Sequence, residues 1–212
     1  MIVALESASS DPSLAVATSD GTILASDSWA GEGRQASELM PHLLALLRAS
    51  GLEIGEVTAL AVGTGPGSFT GLRVSMSVAK GLALATGSPL VGVPSLEAWL
   101  AGEPEAMAAI SRAGAQEAYL LLRGEVTPRV MSAEDLTTHH AGTVVVAPSE
   151  LASAFGLGAA RSPRNAAAAI AFLAASRLAR DPAGDSLEHL EPAYLRGPRG
   201  ITPSTAEVTR WP

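Results

Sequence analysis

A change of hydrophobic period within the first hundred residues constrains the fold more than any other feature of the chain. Ile2 to Leu5 is a short apolar run, and Ser13 to Thr18 alternates, with Leu14 and Val16 on one face and Ala15 and Ala17 on the other. Thr22 to Trp29 resumes after Asp20-Gly21, a dipeptide that marks a hairpin between such segments. The turn formers Ser9-Ser10-Asp11-Pro12 separate the first two runs. These signals predict an antiparallel meander of three strands. The pattern then switches. A leucine-rich helix is expected from Ser37 to Ala49, with Ser37 as N-cap and Pro41 near the first turn or at a kink. Val57 to Gly63 and Pro89 to Val93 are unbroken apolar runs, as in parallel strands buried on both faces. Between them a glycine-rich loop, Thr64 to Gly71, leads into a helix from Leu72 to Thr86 closed by Gly87, and another helix starts at Pro94-Ser95-Leu96. The expected architecture is α/β: antiparallel strands feeding helix-linked parallel strands in one sheet.

The composition shifts near Ala101 to Pro104, which divides the chain into an N-terminal lobe, 1–101, and a smaller C-terminal α/β lobe, 102–212. In the second part Glu117 to Arg123 and Val126 to Met131 form a candidate strand pair around Gly124, and Thr143 to Ala147 reads as a buried strand. Ser162-Pro163 provides an N-cap and a first-turn proline for an alanine-rich helix reaching Arg180. The last twenty residues, with Pro192, Pro198 and Pro203, are expected to form an extended tail. With 47% apolar and 17% charged residues, 212 residues suffice to bury a proper core. The net charge of −7, with Lys80 as the only lysine, supplies no basic surplus for high-affinity nucleic-acid binding by this chain alone. Cysteine is absent, which excludes disulfides, thiolate catalysis and Cys-ligated zinc. No apolar run approaches a membrane span and the N-terminus carries no basic leader, so a soluble, cytoplasmic protein is expected.

The densest motif is Gly63-Thr64-Gly65-Pro66-Gly67-Ser68-Phe69-Thr70-Gly71-Leu72-Arg73, followed by Ala79-Lys80-Gly81-Leu82-Ala83. Glycines permit close backbone approach, and Ser68 or Thr70 can cap the following helix. A glycine loop opening a helix can cradle an anion, which makes Gly65, Gly67, Ser68, Thr70 and Gly71 a candidate anion- or nucleotide-proximal loop. The spacing matches neither the Walker phosphate loop nor the dinucleotide-binding fingerprint. A tight strand-to-helix connection without a ligand accounts for the same glycines.

As a whole, that string resembles the signature of the TsaB (YeaZ) family, proteins of tRNA threonylcarbamoyladenosine biosynthesis. The opening VALESASSDPSLAVA resembles that family's first hairpin, RQASELMPHLLALL its first helix and EPAYLRGP its C-terminal tail. The resemblance runs through residues 1–100 and returns near 190. It implies two ribonuclease-H-like lobes of the actin, Hsp70 and sugar-kinase (ASKHA) superfamily, in agreement with the strand order above. It also implies a non-catalytic subunit without a cofactor. Such a subunit binds a TsaD-type transferase through helices of the N-terminal lobe and forms a homodimer through the same surface when isolated. With a TsaE-type ATPase it supports threonylcarbamoylation of adenosine 37 in ANN-decoding tRNAs, touching tRNA only indirectly.

Residues missing from the sequence bear on catalysis. TsaD-like relatives carry an H-x-x-x-H pair where this chain has one histidine, His42. His139 and His140 are adjacent and His189 is isolated, so no metal site is expected. Glu6-Ser7-Ala8 stands where the family commonly has Asp-Thr-Ser, and the longer side chain displaces a magnesium-binding carboxylate. No Asp-x-Gly-Gly occurs in 101–212. A stand-alone ASKHA-type ATPase or small-molecule kinase with a degenerate phosphate loop is the alternative reading. Neither Ser7-Ala8-Ser9-Ser10 nor Gly67-Ser68-Phe69 is a hydrolase nucleophile elbow. In the helix after the loop, Arg73 and Lys80 are the only charges, and Ser77, Gly81 and Ala85 form a small-residue stripe. The preceding helix spreads its leucines over about 160° of arc. The expected partner contacts are therefore Leu39, Leu43 and Leu47 on the first helix and Arg73, Met76, Ser77, Lys80 and Leu84 on the second.

Overall fold

The computed structural model describes residues 1–195 except 32, 141 and 165, and leaves the side chains at 139 and 140 aside. The first sheet contains β1 (Ile2–Glu6), β2 (Ser13–Ala17), β3 (Ile23–Ser28), β4 (Ala59–Gly63) and β5 (Leu90–Val93) in the order β3-β2-β1-β4-β5. β1, β2 and β3 pair antiparallel, while β4 and β5 add in parallel. The second sheet contains β6 (Ala108–Arg112), β7 (Glu117–Leu122), β8 (Arg129–Ser132), β9 (Val145–Val146) and β10 (Ala160–Arg161) in the order β10-β9-β6-β7-β8. Its first three strands are again antiparallel and its last two parallel. The same topology thus occurs twice, which is the two-lobed, ribonuclease-H-like arrangement of the ASKHA superfamily.

The alternation of strand side chains decides what covers each face of the first sheet. Val3, Leu5, Leu14, Val16, Leu60 and Val62 point to one side. There they meet α1 (Gln35–Ala49) and α2 (Phe69–Thr86). Ile2, Ala4, Ala15, Ala17, Ala59 and Ala61 point to the other, against α6 (Ala166–Leu178). That second interface is small against small: Ala167, Ala171, Ala174 and Ala175 of α6 lie on a sheet face that is mostly alanine. α3 (Ser95–Gly102) bridges the lobes, with Leu96, Trp99 and Leu100 packed among Ala106, Ala109, Tyr119 and Leu121. α4 (Ala133–His140) and α5 (Ser149–Ala154) complete the second lobe, where Leu136, Leu151 and Phe155 close over Ile110 and Leu120.

Several elements depart from the sequence expectation. α1 begins at Gln35, so Ser37 is not its N-cap; the Ser37 hydroxyl donates to the Arg34 carbonyl at 3.0 Å. Pro41 lies well inside that helix on its exposed side. α2 starts at Phe69, three residues earlier than expected, capped by Ser68 Oγ, which accepts the Gly71 N–H at 3.2 Å. α6 starts at Ala166 rather than at Pro163. Ser162 instead donates its hydroxyl to Asp11 Oδ2 at 2.9 Å, and Ser13 Oγ accepts the Ala167 N–H at 3.1 Å. The first turn of α6 is therefore capped by a strand of the other lobe. β6, α4 and α5 were not anticipated.

The single cut expected near residue 101 is crossed again by α6 and by the segment after it, both of which return to the first lobe. Asp185 N–H donates to the Leu90 carbonyl at 2.7 Å, and Asp185 Oδ2 accepts the Gly92 N–H at 2.7 Å, so this segment covers the β5 edge. Arg177 of α6 locks it by donating to Asp185 Oδ1 at 2.8 Å. Further along, Ala193 N–H donates to the Thr64 carbonyl at 2.7 Å. Expectations for Pro198 and Pro203 fall outside the described residues.

Candidate functional site

The glycine-rich loop connects β4 to α2 and rests on the segment leaving β1. A Cβ at Gly71 would lie 1.9 Å from the Ser7 carbonyl oxygen, and one at Gly67 would lie 2.3 Å from that of Ala8. Neither position tolerates a side chain without moving backbone. Ser68 N–H donates to the Ala8 carbonyl at 2.7 Å and Leu72 N–H to the Ser68 carbonyl at 2.9 Å. Gly65 adopts φ +96° and is crowded by Leu72. The glycines are accounted for by close packing of the chain on itself, and the Ser68, Gly71 and Leu72 N–H groups bond internally. Thr70 is exposed on the first turn of α2.

Beside this loop, Glu6 ends β1 with its side chain sealed inside the protein, 1% exposed. Burial pushes its carboxyl up to about 7, against the opposing pull of the Ala8 N–H, the Ser95 hydroxyl and the Ser7 N–H. Oε1 accepts the Ala8 N–H. Oε2 has no hydrogen-bond partner of good geometry; the nearby Ser95 Oγ already accepts the Gly65 N–H at 2.9 Å. Gly63 makes room for both groups, because a Cβ there would meet Glu6 Oε2 at 2.1 Å and Ser95 Oγ at 2.8 Å. Burial therefore disfavours the charged form of this carboxyl, which ionises only around neutral pH. Among the described residues no cluster of three acidic or histidine side chains is placed to hold a metal ion.

The outer surface of α1 and α2 is the other candidate, and here the expected contacts divide. Leu39, Leu43 and Leu47 are at most 2% exposed and Met76 is 4% exposed, all within the core over the first sheet. They are corrected from partner contacts to core residues. A leucine arc of about 160° is wider than the stripe a sheet covers, and periodicity alone cannot tell which edge of it turns inward. The 39/43/47 edge does, leaving Leu44 outside at 37% exposure. On α2, Leu72, Met76, Ala79 and Ala83 face inward, while Arg73, Ser77, Gly81 and Ala85 are exposed and Lys80 is half-buried. Leu84 is 72% exposed and Phe69 55%. A groove between the two helices is lined by Ala36, Phe69, Arg73, Val74, Ser77 and Val78, among others. At Gly81 nothing lies within 4 Å of where a Cβ would stand.

Two clusters border this surface. His42, which the sequence leaves without a second histidine four residues away, takes part in a structural knot that ties β3 to α1. Its Nδ1 is 2.6 Å from Asp27 Oδ2, and its ring stacks on Trp29 at 3.8 Å between centroids. Trp29 Nε1 donates to Glu38 Oε2 at 3.0 Å, and Arg34 holds the Glu38 carboxyl below its usual range. The second cluster escaped sequence reasoning because its members are 121 positions apart. Arg73 Nε donates to the Tyr194 hydroxyl at 2.8 Å while its guanidinium lies 3.8 Å from the centre of the Phe69 ring. Only the tail motif around EPAYLR pointed to that region.

Comparison with known proteins agrees with this architecture. A model of the family described as TsaD, tRNA N6-adenosine threonylcarbamoyltransferase, matches residues 33–153. The chain is 34% identical over 167 residues to the uncharacterized protein Rv3421c of Mycobacterium tuberculosis, covering 77% of this chain and 75% of that one. It is 43% identical over 58 residues to the tRNA threonylcarbamoyladenosine biosynthesis protein TsaB of Escherichia coli, covering 27% of this chain and 25% of that one. The segments matching curated relatives with named functions thus span about a quarter of those proteins or less. Among solved structures, YeaZ from Pseudomonas aeruginosa superposes with a TM-score of 0.70 at 24% identity, covering 92% of this chain and 99% of that chain. The TsaD-described family model over more than half the residues, the YeaZ fold along nearly the whole chain and the TsaB-named relatives matched over a quarter of their length together lead to one assignment: the chain belongs to the TsaB (YeaZ) family.

Proposed function

We propose that this protein is a non-catalytic subunit of the machinery that makes threonylcarbamoyladenosine at position 37 of ANN-decoding tRNAs. It docks a TsaD-type transferase on the outer surface of α1 and α2, works with a TsaE-type ATPase, and pairs with itself through the same surface when alone. One observation carries the reading: α2 presents an exposed face of small and apolar residues that the described residues leave uncovered. Gly81 costs a helix interior about 1 kcal/mol relative to alanine, and no neighbour among the described residues needs the space it leaves. A helix laid against Ser77, Gly81 and Ala85 would use that space. Leu84, 72% exposed, and Leu44 flank the same surface. The contacts retained in the proposal are Arg73, Ser77, Lys80 and Leu84.

The stand-alone ATPase or kinase reading needs an accessible carboxylate at the end of β1, and the burial of Glu6, 1% exposed, counts against it. The acidic net charge favours a basic tRNA-binding surface supplied by other subunits.

Leu84→Arg tests the docking surface. Its side chain is solvent-exposed, so the variant should keep the wild-type circular dichroism spectrum and melting temperature. It should fail to co-purify with the TsaD-type protein of the same organism. Undiminished co-purification would remove this surface from consideration. Met76→Arg is not a usable probe, because it would force a charge into the core and unfold the chain.

A further inference from the structure

The segment that returns over the first lobe reaches the groove between α1 and α2 at Tyr194. Leu190 fills the space above Gly92, where a Cβ would meet its Cδ1 at 2.5 Å, and the Ala193 N–H bond to Thr64 fixes the next turn of chain. These anchors bring Tyr194 over the first turns of α2. Its hydroxyl accepts the Arg73 Nε–H, and its ring lies 5.4 Å from that of Phe69. Arg73 is held on two sides, by a hydrogen bond at Nε and by the face of Phe69.

This arrangement holds Phe69 and Tyr194 while both remain largely in solvent, with Leu195 exposed beside them. Phe69 is 55% exposed, Tyr194 40% and the following Leu195 41%. Fixing the long Arg73 side chain between two exposed rings costs entropy that little burial offsets in the free protein. The charge is also one-sided. α2 contains no acidic residue, and among the described residues no carboxylate lies in ion-pair range of Arg73 or Lys80. Tyr194 occupies Nε but leaves the outer guanidinium nitrogens free to form a bidentate pair with a carboxylate. An apolar groove with an oriented guanidinium at its mouth complements an apolar helix that carries an aspartate or glutamate.

We infer that Pro192–Leu195 is a third wall of the docking surface, and that Tyr194 is a positioning residue that aims Arg73 at a carboxylate on the partner's docking helix. This rests on the docking role proposed above and specifies the chemistry of the contact.

The test is a calorimetric titration of the full chain with the purified TsaD-type protein of the same organism, comparing wild type with Tyr194→Phe, Tyr194→Ala, Arg73→Ala and the Tyr194→Phe/Arg73→Ala double variant. Leu84→Arg reports on the docking surface itself. Tyr194→Phe should weaken binding about threefold through loss of one hydrogen bond. Tyr194→Ala should weaken it about tenfold or more. Tyr194→Phe should have no further effect once Arg73 is alanine, because it acts through that side chain. Wild-type affinity should fall with added salt more steeply than that of Arg73→Ala. Melting temperatures of the Tyr194 variants should stay at the wild-type value. If Leu84→Arg abolishes binding while Tyr194→Ala binds like wild type, the third wall is wrong and the docking surface stands. Full additivity of Tyr194→Phe and Arg73→Ala would overturn the positioning role. If wild type does not bind the TsaD-type protein at all, the docking reading falls and this inference falls with it.

Discussion

Replacing Glu6 with glutamine should stabilise the protein at and above neutral pH, and the size of the effect follows from the burial of this carboxyl. In the unfolded chain the group ionises near 4.5, whereas in the folded protein it holds its proton to about 7. Between those values the folded state binds a proton that the unfolded state has released, so stability falls as pH rises through that window. The difference of roughly 2.5 pH units corresponds to about 3 kcal/mol, fully lost above pH 7 and fully present below 4.5. Glutamine keeps the shape and still accepts the Ala8 N–H through its oxygen, but it cannot ionise. Its amide N–H₂ would occupy the place of Oε2, which has no partner in the wild type, beside a Ser95 oxygen able to accept. Urea unfolding of wild type and Glu6→Gln at pH 5, 6, 7 and 8 isolates the effect, because the other titrating groups cancel in the difference. The stability gap should be small at pH 5, widen steadily and level off near about 3 kcal/mol at pH 8, with equal m-values. A gap independent of pH, or a glutamine variant less stable at pH 8, would show that Glu6 is charged or hydrated in the folded protein and would refute the reasoning.

Two further substitutions probe the glycines. Gly81→Ala should raise the stability of the isolated chain by about 1 kcal/mol in urea titrations, while loosening co-purification with the TsaD-type partner; destabilisation would mean that the position is already crowded in the monomer. Gly71→Ala should cost about 3 kcal/mol or more, or abolish folding, because its methyl would overlap the Ser7 carbonyl; a wild-type unfolding midpoint would contradict the packing described for the loop.

Where local pattern and tertiary demand coincide, the sequence was easy to read. β1 through β5 follow from alternation, the turn at Asp20-Gly21 and two unbroken apolar runs, each a signal contained within about ten residues. β6 did not announce itself, because Ala106-Met107-Ala108-Ala109-Ile110 has a single β-branched residue and serves a helix as well as a strand. The start of α6 was misplaced because Ser162 and Pro163 satisfy the local rule for a helix start. Ser162 bonds across the lobes instead, and Ser13, distant in sequence, does the capping. The docking residues split for a related reason: Leu43 and Leu44 have the same local chemistry, and only the position of the sheet sends one inward. The burial of Glu6 against Gly63 and Ser95, 57 and 89 positions away, and the contact of Tyr194 with Arg73, 121 positions away, lie beyond the reach of any local pattern.

The placement of α6 has a consequence for how the protein emerges from the ribosome. A nascent chain that has released only residues 1–101 already contains every strand of the first sheet, yet its alanine-lined face has nothing to lie against. Completion waits for residues 166–178, synthesised after the whole second lobe. The first lobe therefore finishes last although it begins first, and an arrested or truncated product lacking that helix leaves bare sheet for chaperones or for aggregation to find.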